Sequence, residues 1–367
     1  MRKRAILLSL LLITVFLSSL SSCGKGNDVL NSDNSYNHDL VAETPTDDVS
    51  GANEPADDIS STDDPDNDAL LTDDPGAEYP TYTITILATN DIHGHFDTLP
   101  EYLTIISQIR SERENVLLLD AGDFFKRGPY ESCQGEIEIS LFNAMGYDAL
   151  VLGNNEFKSP GSPKSAKRSG TLEESDEQIA NIIKWADFPV LCGNVTLRDS
   201  GAYIDGVKPY IVEHVGGIAI GIIGITHMDP AENNLDMAVN KDFLAGDEAV
   251  KQLLPLIREE SDIQIVLSHA GFLIDYQIEN VSAVISGHDH FPLENIKNAY
   301  NIPITQGGGE EKHCLSRLDL YFEYINGEWV LIDFDSVLYS ADGVSKDMEL
   351  QRMIDAFILD SENEAAA

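Results

Sequence analysis

Apolar runs, each closed by a polar residue, recur along the chain from Thr81 onward. "YTITILATN" alternates and then turns fully apolar, and "NVLLLDAGD" and "YDALVLGNN" read as short buried strands. "YLTIISQIRSE" and "EIEISLFNAM" between them carry the three-and-four spacing of amphipathic helices. The alternation continues with helix then strand in "IANIIKWADFPVLCGN" and again in "AVKQLLPLIREESDIQIVLSHAG", followed by strand patterns in "VSAVISGHDH" and "IPITQGG". Two hairpins interrupt it: "YIVEHVGGIAIGIIGIT" predicts a turn at Gly216 and Gly217, and "LSRLDLYFEYINGEWVLIDFDSVLYS" one at Asn326 and Gly327. "KDMELQRMIDAFILDSENEAAA" predicts a closing helix with a frayed tail. Alternating strands and helices with added hairpins predict an α/β sandwich of mixed sheets, without internal repeats.

The first eighty residues follow no such pattern. "MRKRAILLSLLLITVFLSSLSSC" has a basic start and an apolar stretch too short and too early for a membrane span. Its last four residues, "LSSC", resemble the lipobox of bacterial lipoproteins, which implies cleavage before Cys23 and lipidation of that cysteine. An ordinary secretory signal is the alternative, and export is expected under both. From Gly24 the chain repeats acidic pairs in "TDDVS", "ADDIS" and "TDDPDND", with few aromatic residues, a composition that cannot offset the entropy of ordering. It reads as an extended, self-repelling tether, and its spacing matches no calcium loop. The expected organisation is signal segment 1–23, acidic tether 24–79, folded domain 80–342, and C-terminal helix and tail 343–367. This leaves no room for a second globular domain.

Charge narrows the choice of partner. With a net charge of −40 the chain excludes nucleic acid, whose phosphates need a basic surface. An anionic substrate would be repelled at long range and held only by local positive charge or metal ions. Beyond Cys23 the cysteines are Cys133, Cys192 and Cys314, without metal-binding C-x-x-C spacing. They read as small buried or half-buried residues, with one bridge open.

The polar residues that close the strands carry the chemistry. "ATNDIHGH", "LDAGDFF", "VLGNNEF", "VLSHAG" and "ISGHDH" each end a strand pattern with aspartate, asparagine or histidine. In α/β sheets the crevice at the carboxyl ends of strands is where sites form, so these endings can converge. Together they offer enough oxygens and imidazoles for two divalent metals sharing an aspartate, an arrangement suited to phosphoester chemistry because it neutralises charge on attacking and leaving oxygens.

"TNDIHG", "AGD", "GNNEF", "SHAG" and "GHDH", in this order from Thr89 to His290, resemble the five signature blocks of calcineurin-like metallophosphoesterases, on the 5′-nucleotidase branch. The resemblance implies a four-layer α/β/β/α sandwich of two mixed sheets. It also implies a dinuclear centre at the strand ends, with Asp91, His93, Asp123 and His290 on one metal and Asp123, Asn154, His269 and His288 on the other. Mixed nitrogen and oxygen ligands suit Mn, Zn, Fe or Co. The implied substrate is a phosphorylated small molecule, with 5′-nucleotides as candidates, met by an extracytoplasmic protein anchored to the membrane through Cys23.

One block departs from the family pattern. Where the family has Gly-Asn-His-Glu-Phe-Asp, this chain has Asn155 for the catalytic histidine and Lys158 for the aspartate that orients it. An amide has no proton to give near neutral pH, so Asn155 can hydrogen-bond a phosphoryl oxygen but cannot protonate a leaving group. Lys158 opens "KSPGSPKSAKRSG", which with Lys126 and Arg127 gathers six of the 23 basic residues near the expected site. These can draw phosphate in, or be merely solvated. His95 and His227 are the other histidines near strand ends that could replace the missing acid. Two further readings stay open: a metal- or phosphate-binding surface protein without turnover, and a partner-docking module.

Overall fold

The computed structural model describes residues 79–158, 172–227, 239–309 and 314–366. They belong to the second of two units into which the chain divides, residues 72–367. Cys23, the signal and nearly all of the tether lie outside the described residues, as do the basic positions 159–171 that follow Lys158.

Two six-stranded mixed sheets form the unit. In the first, β1 (Thr81–Thr89), β2 (Val116–Asp120), β3 (Ala149–Val151) and β4 (Val190–Leu191) run parallel, extended by the antiparallel hairpin of β13 (Leu315–Ile325) and β14 (Glu328–Tyr339). In the second, β7 (Ile218–Thr226), β9 (Ile263–His269), β10 (Ala283–Ser286) and β12 (Pro303–Gly307) run parallel, edged by antiparallel β6 (Tyr210–Val215) and β11 (Pro292–Lys297). β5 (Val195–Leu197) pairs separately with β8 (Lys241–Phe243). The hairpins at Gly216–Gly217 and Asn326–Gly327 are where the sequence puts them. β11, β5 and β8 were not anticipated, because "PLENIK" is mostly exposed and the other two are three-residue strands.

Alternate residues along the central strands feed different cores. Ile84, Ile86 and Ala88 of β1 and Leu117 and Leu119 of β2 meet Ile220, Ile222, Ile263, Ile265 and Ile285 of the second sheet, giving a core between the sheets. Leu87, Leu118 and Leu150 face the other way, onto α1 (Leu99–Glu112), α2 (Glu136–Met145), α3 (Leu172–Trp185) and α6 (Met348–Ala366). Val266, Val284 and Ile304 pack against α4 (Gly246–Ile257), next to the short α5 (Phe272–Asp275). Burial on both faces explains the continuous apolar runs, and the layers are helix, sheet, sheet, helix. The C-terminal helix joins the outer core through Leu350 and Ile354, which are 1% and 2% exposed.

α2 buries a carboxyl among its apolar residues. Glu138 is 1% exposed and its Oε2 has no hydrogen-bond partner. Burial pushes its carboxyl up to about 8 from 4.5. The folded state therefore holds a proton that the unfolded chain has released, so this group's contribution to stability is fully present below 4.5 and lost as pH rises through about 8. Replacing Glu138 by Gln should flatten this dependence. Urea unfolding at pH 5.5 and pH 8.5 should show wild type losing on the order of 3 kcal/mol more than Glu138→Gln over that interval, and equal losses would refute it.

Candidate metal centre

Five strands of the two sheets end in one place. Asp91 and His93 follow β1, Asp123 follows β2, Asn154 follows β3, His269 closes β9, and His288 and His290 follow β10. Five of these seven residues have positive φ: Asp91 (50°), His93 (50°), Asp123 (57°), His288 (83°) and His290 (61°). Residues other than glycine rarely adopt this region, and such strain clusters where function fixes the backbone. Glycines supply the close approaches. A Cβ on Gly153 would strike Asp123 Oδ1 and come within 2.8 Å of Glu156 Oε2, and one on Gly122 would lie 2.9 Å from His269 Nδ1.

The candidate ligand atoms fall into two sets that share Asp91. Ligand atoms of Asp91, His93 and His290 lie within 4.8 Å of one another, and so do those of Asp91, Asp123 and His269. His290 Nε2 is 3.2 Å from Asp91 Oδ1 and 3.1 Å from His93 Nε2. Asp123 Oδ2 stands between the sets, 3.7 Å from His93 Nε2 and 3.3 Å from His269 Nε2. Asn154 Oδ1 is 3.2 Å from His269 Nε2 and 3.0 Å from His288 Nδ1. All seven candidate ligands are thus brought together.

These residues suit divalent cations on grounds internal to the structure. Asp91 Oδ2 accepts hydrogen bonds from Asn90 Nδ2 at 2.7 Å and His288 N at 2.8 Å, while Oδ1 is buried among imidazoles with His290 Nε2 3.2 Å away and no well-aligned donor. A buried carboxylate oxygen without a well-aligned donor is costly unless positive charge meets it. His93 Nδ1 donates to Lys126 O at 3.0 Å and His269 Nδ1 to Ala121 O at 2.6 Å, which fixes the tautomer and turns each Nε2 lone pair inward. Burial pushes Asp91 and Asp123 up, but imidazoles outweigh it and leave both carboxyls low: His290 and His269 at Asp91, His269 and His93 at Asp123. His269 is lowered by burial but raised more by Asp123 and Asp91, reaching about 10, so positive charge is favoured at that point. Burial lowers His93 to about 4 and His288 to about 3.

The residues at the altered block are also placed. Asn155, 2% exposed, donates from its backbone to Asp123 Oδ1 at 2.8 Å and from Nδ2 to Asp123 Oδ2. Lys158 Nζ donates to Asn155 Oδ1, and burial lowers the lysine. Lys126 is buried, 3.2 Å from Glu131 Oε1 and 5.5 Å from the Phe125 ring centre. His227 stacks on His288 with ring centres 4.0 Å apart. His95 begins the turn before α1.

Residues that the sequence reading passed over hold the ligands from behind. Glu156, fully buried, accepts from Gly153 N at 2.7 Å, Asp123 N at 3.0 Å and Phe124 N at 3.2 Å, locking the β2 and β3 loops together. Gln178 Nε2 and Ser175 Oγ of α3 brace the same loop, donating to the carbonyls of Glu156 and Phe157 at 2.7 Å and 2.6 Å. Asp120 receives Thr89 Oγ1 at 2.6 Å and Gly122 N at 3.0 Å, tying the ends of β1 and β2. The signal for Asp120 was present, as a charged residue inside the apolar run "VLLLD".

A four-layer sandwich with oxygen- and nitrogen-bearing candidate ligands gathered at its strand ends has the arrangement of a metal-dependent hydrolase. The calcineurin-like phosphoesterase family model matches residues 84–292, more than half of the chain, and the chain belongs to that family. It is 26% identical over 269 residues to the trifunctional nucleotide phosphoesterase protein YfkN of Bacillus subtilis, covering 66% of this chain and 18% of that protein. It is 32% identical over 206 residues to a 5′-nucleotidase of Vibrio cholerae, covering 52% of this chain and 34% of that protein. The chain thus spans about a fifth to a third of the length of these two relatives. The crystal structure of the YfkN phosphoesterase superposes with a TM-score of 0.63 at 22% identity, over 78% of this chain and 100% of that one.

Metal analysis tests the centre directly. After loading with Mn or Zn and removal of excess, the wild type should carry about two ions per chain, and Asp123→Ala should lose at least one because its carboxylate faces both sets. Unchanged occupancy in Asp123→Ala would reject the shared-carboxylate arrangement.

Proposed function

We propose that this chain is a metal-dependent phosphoesterase acting on phosphate esters, with 5′-nucleotides as candidate substrates, through a catalytic block altered at Asn155 and Lys158. The observation that carries the reading is the meeting of Asp91, Asp123, His93, His269 and His290 in two groups, each with its ligand atoms within 4.8 Å of one another and both including Asp91. Asp91, His93, Asp123 and His290 would hold one divalent ion and Asp123, Asn154, His269 and His288 the other, with Mn, Zn, Fe and Co suited to these donors. Such ions supply Lewis-acid activation of water and neutralise charge on the phosphoryl oxygens.

The chain's own groups do the rest. Asn155 holds Asp123 in place and offers no proton at neutral pH. Lys158, braced against Asn155, brings positive charge to the phosphoryl group in a chain of net charge −40. Without a general acid, rates fall by about 100- to 10,000-fold for leaving groups that need a proton, while metal-based chemistry remains. The nucleotidase and nucleotide phosphoesterase relatives support the substrate class. The second reading, a metal- or phosphate-binding surface protein without turnover, is favoured by the amide and ammonium at the dyad positions.

A panel of monoester, diester and nucleotide substrates assayed with each metal tests the function. Aryl phosphates should react about 100-fold faster or more than nucleoside monophosphates, because their leaving oxygens need little protonation. Asn155→His combined with Lys158→Asp should raise turnover on nucleoside monophosphates more than either change alone, since an imidazolium beside Lys158 is disfavoured by like charge. If the wild type already hydrolyses nucleotides as fast as aryl esters and the double variant is no better, another group supplies the proton, and His227 and His95 are the next to substitute.

The proposed location is the outer face of the cell membrane, through a lipid on Cys23. Export is supported by the basic and apolar start of the chain, and no helix among the described residues is long and apolar enough to cross a membrane. Cys23→Ser should move the protein from the membrane to the soluble fraction. A variant that stays on the membrane would show that the apolar segment itself is the anchor.

A further inference from the structure

We infer that Asp275 is a positioning residue for the histidine half of the metal centre: its buried carboxylate joins the ends of β9 and β10 through two serine hydroxyls and so sets where His269, His288 and His290 stand. Ser268 Oγ donates to Asp275 Oδ1 and Ser286 Oγ to Oδ2, each at 2.5 Å. Ser268 and Ser286 face each other as the last paired residues of the parallel β9–β10 ladder. Beyond that pair β10 has no further ladder partner, and it is there that His288 and His290 take up positive φ, whereas His269 still pairs with Thr226 of β7.

The clasp continues around the ligands on both sides. Ser268 Oγ also accepts from Ala270 N at 3.0 Å, so His269 is bracketed by two residues of one hydrogen-bond network. On the other arm, Ser286 Oγ lies 3.4 Å from Gln306 Oε1, and Gln306 Nε2 donates at 2.5 Å to the carbonyl of Phe291, the residue after His290. Asn298 Nδ2 fixes α5 from below, donating to the carbonyls of Ile278 at 2.6 Å and Asp275 at 3.3 Å. Asp275, Ser268, Ser286 and Gln306 are each at most 1% exposed.

A carboxylate is an expensive way to fill this space. An apolar side chain would fit a core that includes Val266, Val284 and Ile304 without burying an ionisable group. Only hydroxyl donors meet the Asp275 side chain in the described hydrogen bonds, with no basic group among them. The gain from a two-oxygen acceptor is geometric, since it holds two donors on neighbouring strands at one fixed separation. Outer groups of this kind orient ligands and tune the metal they bind.

The inference rests on the dinuclear reading, so the test measures metal binding rather than turnover. The metal-free full chain is titrated with Co(II), following the visible absorption bands that report coordination geometry. Asp275→Ala should weaken one of the two Co(II) binding steps by about 10- to 100-fold and change its spectrum. Asp275→Asn, which keeps the shape and one acceptor, should lie closer to wild type. Ser286→Ala, which cuts one arm and is the milder change if Asp275→Ala does not fold, should shift the same step in the same direction. Val284→Ala, a core truncation in the same strand, should lower the thermal midpoint but leave affinity and spectrum at wild-type values. Wild-type Co(II) affinity and spectrum in both Asp275→Ala and Ser286→Ala would overturn the proposal, as would equal perturbation by Val284→Ala. Absence of any Co(II) binding by the wild type overturns the metal centre itself and this role with it.

Discussion

Two carboxylates withdrawn from water and faced by imidazoles set the terms for the rest of the site. Asp91 and Asp123 are 0% and 1% exposed, and ions so placed persist only when hydrogen bonds and positive charge surround them. Asn90 and the His288 amide satisfy one oxygen of Asp91, and Asn155 reaches both oxygens of Asp123. What is left over, Asp91 Oδ1 and the inward Nε2 atoms of His93 and His269, is a set of atoms at which positive charge is favoured. The strained backbone and the glycines around it follow from the need to bring these groups within a few ångströms of each other.

Each sheet supplies half of that set. Asp91, His93, Asp123 and Asn154 come from the first sheet and His269, His288 and His290 from the second, so the spacing between halves is set by the apolar core between the sheets. Ile86, Leu119 and Val151 on one side and Ile222, Ile265 and Ile285 on the other act as the spacer. Close-packed interiors yield little, and a lost methylene there would be felt at the metal ligands as well as in stability. Glu156 and Asp120 do for the first sheet's loops what interlocked side chains cannot, because loops have no ladder of their own.

Much of this was legible in the sequence because both sheets are covered on both faces. The resulting apolar runs mark the central strands, and a ligand-type residue at the end of each stands out against them. What stayed hidden falls into two kinds. β11, β5 and β8 lack a run long enough to register, being exposed or only three residues long. Glu156, Asp120 and Asp275 were passed over because the partners that define them are backbone amides and hydroxyls distant in sequence, and a lone acid near a strand end reads equally well as a turn residue. The cysteines were left open between free thiols and one bridge, and Cys192, which is buried, and Cys314 are free thiols.

On the proposed reading, Asn155 and Lys158 form an electrostatic unit with Asp123. Asn155 Oδ1 accepts from Lys158 while Asn155 Nδ2 donates to Asp123, so the amide passes the influence of a positive charge to the carboxylate that faces both ligand sets. An imidazole in that place would have to carry its proton beside a lysine, which like charge opposes. With the carboxylate partner gone from position 158, an amide is the better companion for Asp123. On that reading Asn155 and Lys158 are coupled: changing either one alone would leave a donor or a charge without its counterpart. On the proposed reading, the pair has given up a transferable proton and kept the means to steady the carboxylate between the two metal positions.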